Sequence, residues 1–105
     1  MIGVLTFLQA RPERLIETIE ALQAAIAPSL EDPGCLAMYL HADPDDACRL
    51  MLYEQWLSKT DFDVNGALPQ FQSFWQNRAE FLQKDIDIRF FDLVVDPLQA
   101  NAATG

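Results

Sequence analysis

Apolar and polar residues alternate along two arms, residues 35–41 and 49–56, on either side of the acidic loop Asp43-Pro44-Asp45-Asp46-Ala47. Strand-forming residues fill both arms, and the loop carries the Pro and Asp chemistry of a turn, so the stretch predicts a β-hairpin. With the loop closed symmetrically about Asp45, His41 stands opposite Arg49, and the two-residue period gives each arm two faces. One face collects Leu36, Met38, Leu40, Leu50, Leu52, Glu54 and Trp56, and is apolar until Glu54. The other collects Cys35, Ala37, Tyr39, His41, Arg49, Met51, Tyr53 and Gln55, mixed in character yet too apolar for water. The assignment depends on register, because a slip of one residue turns one arm over.

Residues 2–9, with Ile2, Val4 and Thr6, read as a strand. Pro12 suits a first helical turn, and Leu15, Ile19, Leu22 and Ile26 recur at helical spacing behind it, so a helix is predicted to end near Ala27, before Pro28. Residues 28–33 read as a loop. Ser58-Lys59-Thr60-Asp61 has the form of a capping box opening a short helix, with Phe62 as its first apolar contact and Asn65-Gly66 as its stop. Pro69 opens a third helix on which Phe71, Phe74, Trp75, Arg78 and Phe81 or Leu82 share a side. Residues 85–95 return to strand alternation, and residues 97–105 read as a flexible tail.

The order strand, helix, strand, strand, helices, strand predicts an α+β, ferredoxin-like split βαβ sandwich with an antiparallel sheet, as one domain over residues 1–96. The apolar hairpin face belongs under the helices. The leftover face, with Tyr39, Met51 and Tyr53, predicts a homodimer in which two sheets pack face to face.

Composition narrows the partners. Sixteen acidic residues against seven basic give the 105-residue chain a net charge of −9, which disfavours nucleic acid and anionic membrane surfaces. No basic, apolar leader and no run near 18 apolar residues is found, and the chain reads as cytoplasmic. In the predicted hairpin Cys35 and Cys48 lie roughly 20 Å apart, beyond the reach of a disulfide, so both are expected as small apolar thiols.

Several blocks resemble the antibiotic biosynthesis monooxygenase family: Glu31-Asp32-Pro33-Gly34-Cys35-Leu36, Leu40-His41-Ala42-Asp43-Pro44, Leu52-Tyr53-Glu54-Gln55-Trp56, Phe62-Asp63 and Pro69-Gln70-Phe71-Gln72-Ser73-Phe74. The resemblance runs from about residue 2 to 95. It implies a dimeric α/β barrel. It also implies oxygenation of a quinol or polycyclic phenol by molecular oxygen as co-substrate, with no flavin, haem or metal, in a site between sheet and helices. The chain departs from the family's pattern at Asn65 and Gln70, where members usually carry His; neither residue titrates near neutral pH. The resemblance also implies that the family's haem-degrading branch needs an Asn on the first strand, a Trp on the short helix and a haem-ligating His on the next, where this chain has Leu5 or Phe7, Asn65 and Trp75, so haem is not expected.

Oxygenation without a cofactor needs a pocket, a proton acceptor and exclusion of bulk water. Glu54 is the candidate base: alternation points it into an apolar layer beside Trp56, where burial raises a carboxyl pKa. The competing reading is a carboxylate at the layer's edge, paired with Arg78 or a backbone amide. Asn65 is a candidate donor to a substrate carbonyl or oxyanion, or an ordinary helix terminator. Trp56, Trp75, Phe71, Met38 and Leu52 are the candidate substrate-binding residues, with core packing as the alternative for the two Trp. His41, the lone histidine, reads as a solvated turn residue rather than a proton relay. No metal site is expected: one His offers no ligand cluster, and Asp43, Asp45 and Asp46 lack the Gly and distal Glu of a calcium loop. No Ser-His-Asp set, phosphate-cradling loop or dinucleotide fingerprint is present. A non-enzymatic dimer that binds a small apolar ligand, or only assembles, is the rival reading. A cavity of roughly 300 Å³ or more beneath Trp56 favours a ligand, and a closed core favours assembly only.

Overall fold

Strand β1, Ile2–Gln9, buries Val4, Thr6 and Leu8 on one side, the two-residue period expected of its sequence. The computed structural model describes residues 1–96; the tail predicted over residues 97–105 lies outside them. A 3₁₀ turn over Pro12–Arg14 leads into α1, Leu15–Ser29. The hairpin follows as β2, Cys35–Asp43, and β3, Asp46–Trp56. Helices α2, Lys59–Gly66, α3, Pro69–Gln76, and α4, Arg78–Phe81, precede β4, Asp87–Asp92. The strands form one antiparallel sheet in the order β2-β3-β1-β4, with α1 against α3 and α4: the α+β ferredoxin-like fold. Among the described residues no helix is long and apolar enough to cross a membrane.

The hairpin register differs from the symmetric closure. His41 pairs with Met51, not Arg49, and Leu40 pairs with Leu52. The shift is two residues, an even number, so each arm keeps its faces: Met38, Leu50, Leu52, Glu54 and Trp56 are buried towards the helices, while Tyr39 is 62% exposed. A bulge breaks this parity at the start of β2. Cys35 pairs with Trp56 but Ala37 pairs with Gln55, so Leu36 is left over. Cys35 therefore turns in against the core and Leu36 turns out, the reverse of the prediction for both. The Asp32 turn fixes this entry, its carboxylate accepting from Gly34 N at 2.8 Å and its carbonyl from Cys35 N at 3.0 Å. Cys35 and Cys48 are free thiols, as expected.

The helices depart from their predicted form in three places. α1 turns Thr18, Leu22, Ala25 and Ser29 inward, and Ile19, expected in the buried stripe, is 36% exposed. Small residues let the helix lie close to its neighbours, and Thr18 satisfies its hydroxyl on Arg14 O at 2.6 Å. α1 also runs through Pro28, because a proline in the last turn removes only one hydrogen bond and Ser29 is anchored by its own side chain. The long third helix is broken at Asn77, whose side chain caps Ser73 O at 2.9 Å. The chain is then drawn to the end of β1, where Arg11 N donates to Phe81 O and Gln83 N to Gln9 O. Ser58 caps α2 as expected, its Oγ accepting from Asp61 N at 3.1 Å, but the reciprocal bond is to the Asp61 carboxylate from the Ser58 hydroxyl, at 2.7 Å, rather than from its backbone N–H. The last strand is shorter than residues 85–95, pairing with β1 only from Asp87 to Asp92.

Candidate functional site

Between sheet and helices lies a largely apolar cavity of about 250 Å³. Its floor is strand side chains from neighbouring pairs: Thr6 and Leu8 of β1, Leu52 and Glu54 of β3, and Ile88 of β4. Its roof is Leu22 of α1, Phe62, Asn65 and Gly66 of α2, and Phe71, Gln72, Phe74 and Trp75 of α3, with Ile86 closing one side. The volume falls short of the roughly 300 Å³ that favours a ligand, but the core is not closed: benzene fills an apolar cavity of roughly 150 Å³, so this one has room for a ligand of one or two small rings.

Glu54 is the one ionisable side chain on the wall, and it is 5% exposed. Burial strips water from its carboxylate and pushes its pKa from 4.5 up to about 7. The Trp56 Nε1–H donates to Glu54 Oε1 at 3.1 Å and partly offsets the rise. Arg78 does not reach it; that guanidinium pairs with Asp85 at 2.8 Å, which removes the reading of Glu54 as the partner of Arg78. Cys35 lies nearby, its thiol pKa raised by burial and then by the charges of Glu54 and Asp32.

Asn65 is 3% exposed and inside α2 rather than a left-handed stop; no glycine among the described residues has positive φ. Its Oδ1 accepts from Ser29 Oγ at 3.0 Å, so the amide is oriented by α1 and its NH₂ is the group left for the cavity. Gln72 is held on the rim by its donation to Gly66 O at 2.9 Å.

Of the predicted site residues, Glu54, Asn65, Leu52, Phe71 and Trp75 share this cavity. Two do not. Trp56 is fully buried behind Glu54, edge-on to Phe62 with centroids 6.2 Å apart, and Met38 is a core residue on β2, one strand beyond the floor. Both point to the helix side as alternation requires, but the cavity lies over β3, β1 and β4 rather than over β2. Thr6, Phe62, Gln72 and Ile88 were not anticipated. The alternation of Val4, Thr6 and Leu8 was signal enough for Thr6; the others needed the packing of β4 and α2.

A family model described as antibiotic biosynthesis monooxygenase matches residues 1–77. The chain belongs to the antibiotic biosynthesis monooxygenase family. An uncharacterized protein of a Synechocystis strain is 23% identical over 86 residues, 82% of this chain; the chain spans 58% of that protein's length. A crystal structure of an antibiotic biosynthesis monooxygenase superposes with TM-score 0.83 at 20% identity, covering 90% of this chain and all of the other. A Mycobacterium tuberculosis protein gives 0.84 at 20% identity, with coverage of 91% and 97%. A Pseudomonas aeruginosa protein gives 0.82 at 23% identity, with coverage of 90% and 94%. At these identities the superpositions show a shared fold. Of the two positions at which the sequence resemblance implied a His, Asn65 is on the cavity wall. Gln70 is not; it faces a separate groove beside Ala21 and Ala24 of α1.

Proposed function

We propose that this chain is a homodimeric monooxygenase that oxygenates a quinol or small fused phenol with molecular oxygen and no resident cofactor. The observation that carries the reading is a single carboxyl, with pKa near 7, buried in an apolar cavity that also offers an amide donor and a planar aromatic wall. At neutral pH Glu54 is divided between its two forms, so it can take a phenolic proton and later return one. The resulting phenolate passes an electron to oxygen, the two radicals combine into a C–O bond, and the hydroperoxide loses water. The balance is SH₂ + O₂ → S=O + H₂O, the substrate supplying all four electrons. Asn65 donates to the substrate oxygen as charge develops there. The apolar walls keep bulk water from the anionic intermediate.

The dimer completes the reading. The sheet face away from the helices exposes Tyr39, Phe91 and Leu93 around Leu5, Met51 and Tyr53, an apolar surface that a second copy covers. We place the protein in the cytoplasm, in keeping with its two free thiols, and assign it neither nucleic-acid nor membrane partners.

Oxygen uptake with a panel of hydroquinones and naphthols tests the activity, beside Glu54→Gln and a blank without protein. Uptake above autoxidation that collapses in the variant supports the mechanism. Uptake unchanged in the variant removes Glu54 as the base. Asn65 in place of a family His favours a second reading, a dimer that binds a small apolar ligand without turnover; tight binding with no oxygen consumption would select it.

A further inference from the structure

Trp75 is the one wall residue of the cavity with both a large aromatic surface and substantial exposure, 40%. An indole at a rim is ordinarily free to change rotamer, yet this one is held. Arg78 folds back across the break at Asn77 and places its Cζ 4.1 Å from the centre of the Trp75 ring. Its Nη1 donates to Trp75 O at 2.8 Å, using a carbonyl that the helix break leaves without its helical partner. Its Nε donates to Asp85 Oδ1 at 2.8 Å. The same Asp85 oxygen accepts from Ile86 N at 2.9 Å, and Ile86 is itself a wall residue. One ion pair therefore ties together two sides of the cavity rim, from α3 and from the lead-in to β4. The pairs Arg14–Glu17, Arg49–Asp43, Lys59–Asp63 and Arg89–Asp87, by contrast, each stay within one helix, strand or hairpin or its immediate lead-in.

Arg78 is not on the cavity wall; it lies in an outer groove with Lys84 and Asp85. The cation thus covers the indole from outside. A guanidinium over one face draws on the ring's π density, which makes the ring a better stacking partner for an electron-rich aromatic.

We propose that the Arg78–Asp85 pair is a specificity-determining clasp: by holding Trp75 as a fixed, flat wall it selects planar, electron-rich aromatic substrates over saturated molecules of the same skeleton. The inference rests on the cavity being the substrate site and deepens that reading. Arg78 is a positioning residue, acting through Trp75.

The test is calorimetric binding of 2-naphthol and of decahydro-2-naphthol to the full chain, wild type beside Arg78→Met, Arg78→Lys and Asp85→Asn. Asp85 is largely exposed, so its amide variant keeps the fold intact if the arginine variants do not. Wild type is expected to prefer the aromatic probe. Arg78→Met should weaken naphthol binding about fivefold and leave the saturated probe unchanged. Lysine should restore part of the preference, and Asp85→Asn should lose part of it. An unchanged ratio in both Arg78→Met and Asp85→Asn, or equal weakening for the two probes, overturns the clasp while leaving the cavity as a ligand site. Failure of the wild type to bind either probe overturns the cavity reading and the clasp with it.

Discussion

Replacing Glu54 by Gln should stabilise the protein at alkaline pH and leave it nearly unchanged in acid. Glutamine is the same shape, accepts the Trp56 N–H through its own carbonyl oxygen and carries no charge to bury. The folded-state pKa is raised from 4.5 to about 7. Between those values the folded chain holds a proton that the unfolded chain has released, so the native state loses stability as pH rises. The contribution is fully present below pH 4.5 and gone above pH 7. Taken as a linkage integral, the penalty is about 0.2 kcal/mol at pH 4, about 1.4 kcal/mol near pH 5.5 and about 3 kcal/mol at pH 8. Glutamine removes it. Urea unfolding of wild type and variant at those three values, at one protein concentration, measures the difference directly. A domain of this kind is stable by only about 5–15 kcal/mol, so a gain of about 3 is easily seen. A stability difference that does not vary with pH would refute the argument, because it would mean that Glu54 does not carry a raised pKa.

Gly34→Ala should cost about 1–3 kcal/mol in urea unfolding, because its Cβ would lie 2.8 Å from Cβ and Cγ of Asp61, which the Ser58 hydroxyl holds in place; a neutral result would show that the turn yields freely. Asn65→Leu keeps the volume but removes the cavity donor, so the rate of oxygen uptake should fall about a hundredfold with any substrate the wild type turns over, and retained turnover would remove Asn65 from the mechanism. Leu5→Lys, at the centre of the open sheet face, should move the protein from a two-chain to a one-chain mass in light scattering; an unchanged mass would place the interface elsewhere.

The element order and the two-sidedness of the sheet were legible in the sequence because strand alternation is local: Val4, Thr6 and Leu8, or Leu50, Leu52 and Glu54, declare their face without reference to anything distant. The same local logic found the Ser58 cap and the burial of Glu54 beside Trp56. The hairpin closure survived a register error only because the error was even, and the bulge at Leu36 was not legible, since it depends on how the Asp32 turn delivers the chain to β2. Helical spacing placed Leu15, Leu22 and Ile26 of α1 against the core but missed that Ile19 is exposed and that Thr18, Ala25 and Ser29 are buried, because the inward face is also decided by how closely its neighbours approach. The site divides in the same way. That Glu54 and Asn65 point inward follows from patterning or resemblance, but which side chains meet around one cavity is a property of how α2, α3 and β4 lie over the sheet. Only that packing put Trp56 behind the wall, brought Phe62 and Ile88 onto it, and joined Trp75 to Ile86 through Arg78 and Asp85.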